Sequence, residues 1–94
     1  MTEAQLETKL VTFCREHGLL TYKFASPSHR GVPDRIIMHD GRILFVELKR
    51  PGNKPTELQL REIERIKANG VAAIWADDWH RLTCYLIGFF LLNL

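Results

Sequence analysis

Apolar residues recur near the start of the chain with the spacing of an amphipathic helix. Thr2 and Gln5 have the form of a capping box, the pairing that opens many helices. The apolar stripe that follows consists of Leu6, Leu10, Phe13 and Cys14. We expect a helix that runs to about His17 and ends at Gly18, since glycine is preferred just past a helix C-terminus.

Strand-like segments follow this helix. Leu20–Phe24 alternates between apolar and polar residues, and two apolar runs, Arg35–Met38 and Ile43–Leu48, come after a loop over residues 25–33. Asp40 and Gly41 lie between the two runs. Asp-Gly favours a two-residue hairpin turn, because both positions must adopt positive φ. The sequence therefore predicts a β-hairpin, with Leu44, Val46 and Leu48 facing one side of it.

The register of this hairpin brings three charged residues together. With Asp40 and Gly41 as the loop, Asp34 falls directly across from Glu47. Cross-strand partners have Cβ atoms about 4.5–5.5 Å apart. Lys49, two residues further on, shares the face of Glu47. Adjacent carboxylates repel each other unless a cation lies between them, so the register predicts a site for a divalent cation.

The second half of the chain predicts a strand–helix–strand unit. Thr56 and Gln59 form a second capping box, and the helix that they open should run to about Asn69. Val71–Ala76 is a short apolar run typical of a buried strand. The apolar residues expected on the inner side of this helix, next to Gln59, are Leu60, Ile63 and Ile66.

The last part of the chain is unusually apolar. A final helix should begin near Trp79, capped by Asp77 or Asp78. Residues 83–94 are almost all apolar, over about half the length of a membrane span. A 94-residue chain has little core with which to cover such a segment. We therefore expect one domain over residues 1–94 whose segment 83–94 contributes to a homodimer interface.

Charge and cysteine content narrow the function classes. Cys14 and Cys84 lack metal-ligand spacing, which favours a cytoplasmic protein with reduced thiols. His29 has no partner at ligand spacing and is expected at the surface. We predict no membrane segment and no small-molecule cofactor.

The net charge is only +2, so affinity for nucleic acid must come from local clusters. The side chains expected to contact DNA phosphates are Arg30, Arg35, Arg50 and Lys54.

These motifs resemble a known nuclease family. Asp34 followed by Glu47-x-Lys49 is similar to the signature of the PD-(D/E)xK superfamily. The segment Gly31–Arg35, the strand that carries Glu47, and Gln59 on the next helix resemble its VRR-NUC branch. The resemblance implies an α/β restriction-endonuclease-like core, α-β-β-β-α-β, with a mixed central sheet flanked by helices.

The resemblance also implies roles for individual residues. Lys49 would assist the attacking water, and Gln59, which the capping box explains equally well, would support the site. The metal ligands that it implies are Asp34, Glu47, the main-chain carbonyl of Leu48 and a glutamate of the first helix. Glu7, at the margin of the apolar stripe, is favoured for that glutamate, and Glu3 is the competing choice.

Three functions follow as hypotheses. The leading one is an Mg²⁺- or Mn²⁺-dependent DNA endonuclease, a homodimer that cuts branched DNA such as four-way junctions. The second is a non-catalytic DNA-binding or accessory module of a larger nuclease complex. The third is an interaction domain that uses the apolar C-terminal segment as its adhesive surface.

Overall fold

Helices and strands follow one another in the order that the apolar pattern predicts. The computed structural model describes residues 1–94 and contains three helices and four strands. The elements are α1 (Glu3–Glu16), β1 (Leu20–Lys23), β2 (Arg35–His39), β3 (Arg42–Leu48), α2 (Glu57–Ala68), β4 (Ala72–Ala76) and α3 (Trp79–Phe89).

The start of each helix is fixed by side chains that bond to its free amides. Both capping boxes are present, because the side chains of Thr2 and Thr56 each accept a hydrogen bond from the amide three residues on, and the glutamines there reciprocate. Asp78 caps α3 and accepts a hydrogen bond from the amide of Arg81 at 3.2 Å. The predicted helix starts are confirmed.

The four strands form one mixed sheet in the order β1-β2-β3-β4. The first three strands are antiparallel, and β4 runs parallel to β3 after the α2 crossover. Asp40 and Gly41 adopt φ of 49° and 78°, as the predicted turn requires. The ladder runs without a bulge from His39 opposite Arg42 to Arg35 opposite Val46, so the predicted hairpin register is confirmed.

One face of the sheet carries the main core. Helices α1 and α3 supply apolar side chains to it, and the predicted stripe of α1 is buried throughout. Leu44, Val46 and Leu48 of β3 are at most 1% exposed on this face. Ile63 of α2 and Ala73 of β4 are buried outside this cluster, since α2 packs on the other side of β4.

The apolar C-terminal segment lies within the core of the protein's own chain. Leu86 is fully buried and Phe90 is 2% exposed, and both contact the cluster between sheet and helices. Much of the segment is therefore covered by the chain itself, because α3 packs on the sheet face beside α1, while Tyr85, Leu91 and Leu94 remain exposed. None of the helices is long and apolar enough to cross a membrane.

The inner side of α2 differs from the prediction. Leu60 is 41% exposed, so its expected burial is wrong. Glu62 is buried in its place at 7% exposure. Apolar periodicity could not identify this position, because a glutamate is buried only when tertiary contacts provide it with partners.

Part of the second sheet face is left uncovered. Six large side chains form two cross-strand rows there, according to the register of β1, β2 and β3: Leu20, Met38 and Ile43 in one row, and Tyr22, Ile36 and Phe45 in the other. Leu20, Tyr22 and Ile43 are 48%, 56% and 41% exposed. We call these six residues the open sheet face. Apolar patches of this kind commonly mark interaction sites.

Candidate active site

Asp34 lies immediately before β2 and is fixed by main-chain contacts on both sides. Its Oδ2 accepts a hydrogen bond from the amide of Leu48 at 2.8 Å, and its carbonyl accepts one from the amide of Phe24 at 2.8 Å. The bond from Phe24 extends the β1–β2 pairing by one position, and the bond from Leu48 ties the Asp34 side chain to the end of β3. Asp34 is thereby held beside Glu47 on the neighbouring strand, close enough for its charge to act on that carboxyl.

Glu47 is an unusually buried carboxyl. The residue is 2% exposed, and its Oε1 is buried without any hydrogen-bond partner. Its Oε2 lies 3.7 Å from Nζ of Lys49, whose side chain is 16% exposed. Burial first, and then the negative charge of Asp34, raise the pKa of Glu47 to about 8, against the opposing effect of Lys49. The positive charge of Lys49 alone thus does not hold the carboxyl ionised at neutral pH.

A divalent cation fits this donor set. Buried polar atoms almost always have a partner, so the unpaired Oε1 of Glu47 beside Asp34 marks a place for one. Carboxylate and carbonyl oxygens are the ligands that Mg²⁺ and Mn²⁺ prefer. No group of three or more His, Cys, Asp or Glu side chains converges at a metal-binding distance anywhere in the chain. The side chains that could hold a cation together here are therefore Asp34 and Glu47, and main-chain oxygens such as that of Leu48, or a further side chain that moves on binding, would complete the shell.

The two glutamates of α1 have different surroundings. Glu7 forms ion pairs with Arg35 at 3.3 Å and Lys23 at 3.6 Å, and its side chain is 26% exposed. Glu3 is exposed, yet its charge contributes to the raised pKa of Glu47. Of the two α1 glutamates only Glu3 adds to the raised pKa of Glu47, and its effect is smaller than those of Asp34 and Lys49, while Glu7 is paired with two cations.

Gln59 performs the structural role that its sequence position suggested. Its Oε1 accepts a hydrogen bond from the amide of Thr56 at 2.9 Å. Its side-chain nitrogen makes no hydrogen bond within the chain and is free to act elsewhere.

The basic residues expected to meet DNA divide into two groups. Arg30, Arg50 and Lys54 are exposed. Arg35 is only 9% exposed and donates hydrogen bonds to Glu7 and to the hydroxyl of Thr21, each at 3.3 Å. A side chain so enclosed has little surface to offer to a phosphate, which sequence proximity to Asp34 could not reveal.

The contact between His29 and Glu62 could not be predicted from the sequence. His29 lies in the loop before Asp34, and its Nε2 is 2.7 Å from Oε1 of Glu62 on α2. The imidazole is half-exposed, as expected of a surface residue, but it has an acidic partner. The two residues are 33 positions apart, so no local pattern could have paired them.

A known phage protein is similar in sequence to most of this chain. A protein of Acyrthosiphon pisum secondary endosymbiont phage 1 named "Putative nuclease p44" is 49% identical over 77 residues, which covers 81% of this chain and 83% of that protein. No protein-family model matches the chain.

Two solved structures share the fold. One described as "VRR_NUC domain" superposes with a TM-score of 0.85 at 24% identity, over 96% of this chain and 100% of that chain. Another described as "VRR_NUC domain protein" has a TM-score of 0.80 at 18% identity, over 99% and 91%. With nearly half of the aligned residues shared over most of both chains, the chain belongs to the same family as the phage protein named "Putative nuclease p44", and its fold is that of the VRR_NUC domain.

Proposed function

We propose that this protein is an Mg²⁺- or Mn²⁺-dependent endonuclease that hydrolyses phosphodiester bonds in DNA. The observation that carries the proposal is the buried carboxyl of Glu47, whose Oε1 has no partner and which lies beside Asp34 and Lys49. Leaving a buried oxygen unpaired costs about 1–3 kcal/mol. A bound cation would remove that cost, and it would also keep both carboxyls ionised.

Each residue of the site would have a separate role. Asp34, Glu47 and the main-chain carbonyl of Leu48 would hold the cation. When bound, such an ion lowers the pKa of a coordinated water and stabilises negative charge on the reacting phosphate. Nζ of Lys49, held 3.7 Å from Glu47, would orient the attacking water and offset the developing charge. Gln59 would add a hydrogen bond through its free side-chain nitrogen.

Glu3 is the better choice for the glutamate that the first helix contributes. It is exposed and makes no ion pair, and its charge acts on Glu47. Glu7 would have to leave both Arg35 and Lys23 to reach a cation at Glu47. The sequence analysis favoured Glu7 instead, because Glu7 lies at the margin of the apolar stripe of α1.

Exposed basic side chains would bind the DNA backbone. Arg30 lies in the loop before Asp34, while Arg50 and Lys54 follow Lys49 directly in the chain, so all three are near the site in sequence and free of ion pairs. Contacts of this type are made with phosphates and carry no base specificity. Arg35 is excluded from this set because it is buried against Glu7.

A homodimer would use the open sheet face. Its six side chains are uncharged, so two copies can be brought together without electrostatic repulsion, and closed two-fold pairing is the commonest arrangement of homo-oligomers. Phe45 and Glu47 are two residues apart on the same face of β3. A partner seated on this face would therefore border the site. The C-terminal segment is a weaker choice, since Leu86 and Phe90 are already buried in the core and its exposed apolar side chains, such as Tyr85 and Leu91, form no such rows on the sheet.

Selectivity for branched DNA follows from such a pairing. A two-fold dimer carries two copies of the site related by symmetry, and a four-way junction has an approximate two-fold axis of its own. Paired cuts in such a substrate need both sites at once, whereas linear duplex needs only one.

Cleavage assays test the proposal. Labelled linear, flapped and four-way DNA should be cut only with Mg²⁺ or Mn²⁺, and the four-way substrate fastest. A protein that binds these DNAs with metal but leaves them uncut would instead be an accessory DNA-binding module. A protein that binds none of them would be an interaction domain.

A further inference from the structure

Glu62 is the one buried carboxylate outside the candidate active site. It lies in the middle of α2, and its side chain is 9% exposed. Its Oε1 is 2.7 Å from Nε2 of His29 and 3.4 Å from the guanidinium of Arg65. Burying a carboxylate is costly unless partners compensate it. The contact with His29 is the shorter of the two and the only one that connects Glu62 to another element.

His29 belongs to the loop that leads into Asp34, and this loop touches α2 at a second point. Gly31 adopts φ of +86°, and a Cβ there would lie 2.9 Å from Cγ and 3.2 Å from the carbonyl oxygen of Leu58. Only glycine permits so close an approach at this φ. Pro33, the residue before Asp34, is buried. The loop therefore contacts α2 at two points and ends in a buried proline directly before Asp34.

We propose that Glu62 is a positioning residue for the metal site. It holds His29, and with it the loop of residues 25–33, against α2, so that the carboxylate of Asp34 stays within reach of the Leu48 amide and of Glu47. Loops are the mobile parts of a fold, and a metal ligand that directly follows one needs such a restraint. The inference rests on the proposed function, because it assumes that Asp34 serves as a ligand.

The His29–Glu62 pair could restrain only the loop or could stabilise the whole domain, and the loss of the pair has different effects in the two cases. The imidazole of His29 is 45% exposed and Arg65 remains beside Glu62 when His29 is replaced, so loss of the pair should lower the stability of the whole domain only modestly. Its loss should instead release the loop and loosen the hydrogen bond from the Leu48 amide to Asp34. That amide reports the position of Asp34 without any metal or DNA.

Amide hydrogen exchange of the metal-free protein is the first test. In His29→Ala, exchange of the Leu48 amide should be faster by on the order of tenfold, which corresponds to the loss of one hydrogen bond to a charged group. Amides in the middle of β3 should exchange as in the wild type. His29→Gln, whose side-chain N–H can still donate to Glu62, should restore much of the protection. Ser28→Ala, at an exposed neighbouring position, is the control.

Metal dependence of cleavage is the second test. His29→Ala and Glu62→Gln should raise the Mg²⁺ concentration for half-maximal rate severalfold, with kcat at saturating Mg²⁺ close to wild type. Glu64→Gln, on the exposed side of the same helix, should change neither. Wild-type exchange of the Leu48 amide in His29→Ala, or an equal increase along all of β3, would overturn the proposal. An inactive wild-type protein with the Leu48 effect intact would refute the nuclease function alone.

Discussion

Glu7 and Arg35 form an ion pair at 3.3 Å, and this pair accounts for one of the few buried charges of the fold. Arg35 is 9% exposed, and its Nε has no partner, so Glu7 is its main compensating charge. Glu7 thus makes an ion-pair contact between α1 and the sheet, and we expect the two glutamates of α1 to respond differently to mutation.

Glu7→Gln should lower the free energy of unfolding by about 1–3 kcal/mol, because it leaves a buried guanidinium without its counter-charge. Glu3→Gln should leave stability within about 0.5 kcal/mol, as expected at an exposed position, but should impair metal-supported cleavage. Denaturant unfolding and cleavage rates of both variants give the comparison. A stable, inactive Glu7→Gln protein would return the ligand role to Glu7.

Asp34→Asn, Glu47→Gln and Lys49→Ala should each abolish cleavage, since each removes a ligand or the positive charge beside the attacking water. The fold should be retained, and binding to four-way DNA without metal should change little. Lys67→Ala, an exposed basic residue paired with Glu64, is the control and should cut normally. Wild-type cleavage by Glu47→Gln would refute the assignment of the site.

The stability of the metal-free protein should depend on Glu47. Its pKa is about 8 in the fold against an ordinary value of 4.5, so the folded state binds more protons than the unfolded state between these values. The contribution of Glu47 to stability should be largest below about pH 4.5 and should be lost as the pH rises towards 8. Unfolding in chelator from roughly pH 5 to pH 8.5 measures the slope. Glu47→Gln should flatten it and Glu64→Gln should not.

Charged residues on the open sheet face should break the dimer. Tyr22→Glu and Ile43→Glu should sediment as monomers at micromolar concentration, where the wild type should sediment at twice the chain mass. Both should keep cleavage of linear DNA better than that of four-way DNA. Leu94→Glu, which is 70% exposed at the end of the C-terminal segment, should remain dimeric. The opposite pattern would move the interface to that segment.

Phe90→Ala should lower the free energy of unfolding by about 3–5 kcal/mol, the usual cost of deleting a buried aromatic ring. Truncation after Leu82 removes both Leu86 and Phe90 from the core and should leave the chain unfolded. Removal of Leu94 alone should have little effect. Circular dichroism with thermal melting distinguishes these cases, and a folded product of the longer truncation would contradict the core described above.

The sequence by itself determined the features that depend on local chemistry. Thr2 and Thr56 predicted the helix starts because capping is a contact over three residues, and Asp40-Gly41 predicted the hairpin because its turn needs positive φ. The register from that turn then brought Asp34 and Glu47 together before any tertiary contact was known.

Only the tertiary structure decided what depends on contacts between distant segments. It buried Phe90 under the sheet, exposed Leu60 and buried Glu62 against His29. It also assigned Glu7 to Arg35, a residue 28 positions away, and left Glu3 to act on Glu47. Periodicity gives the side of a helix that faces inward, but which charged group meets which partner depends on how helices are placed on the sheet, and no local spacing encodes that placement.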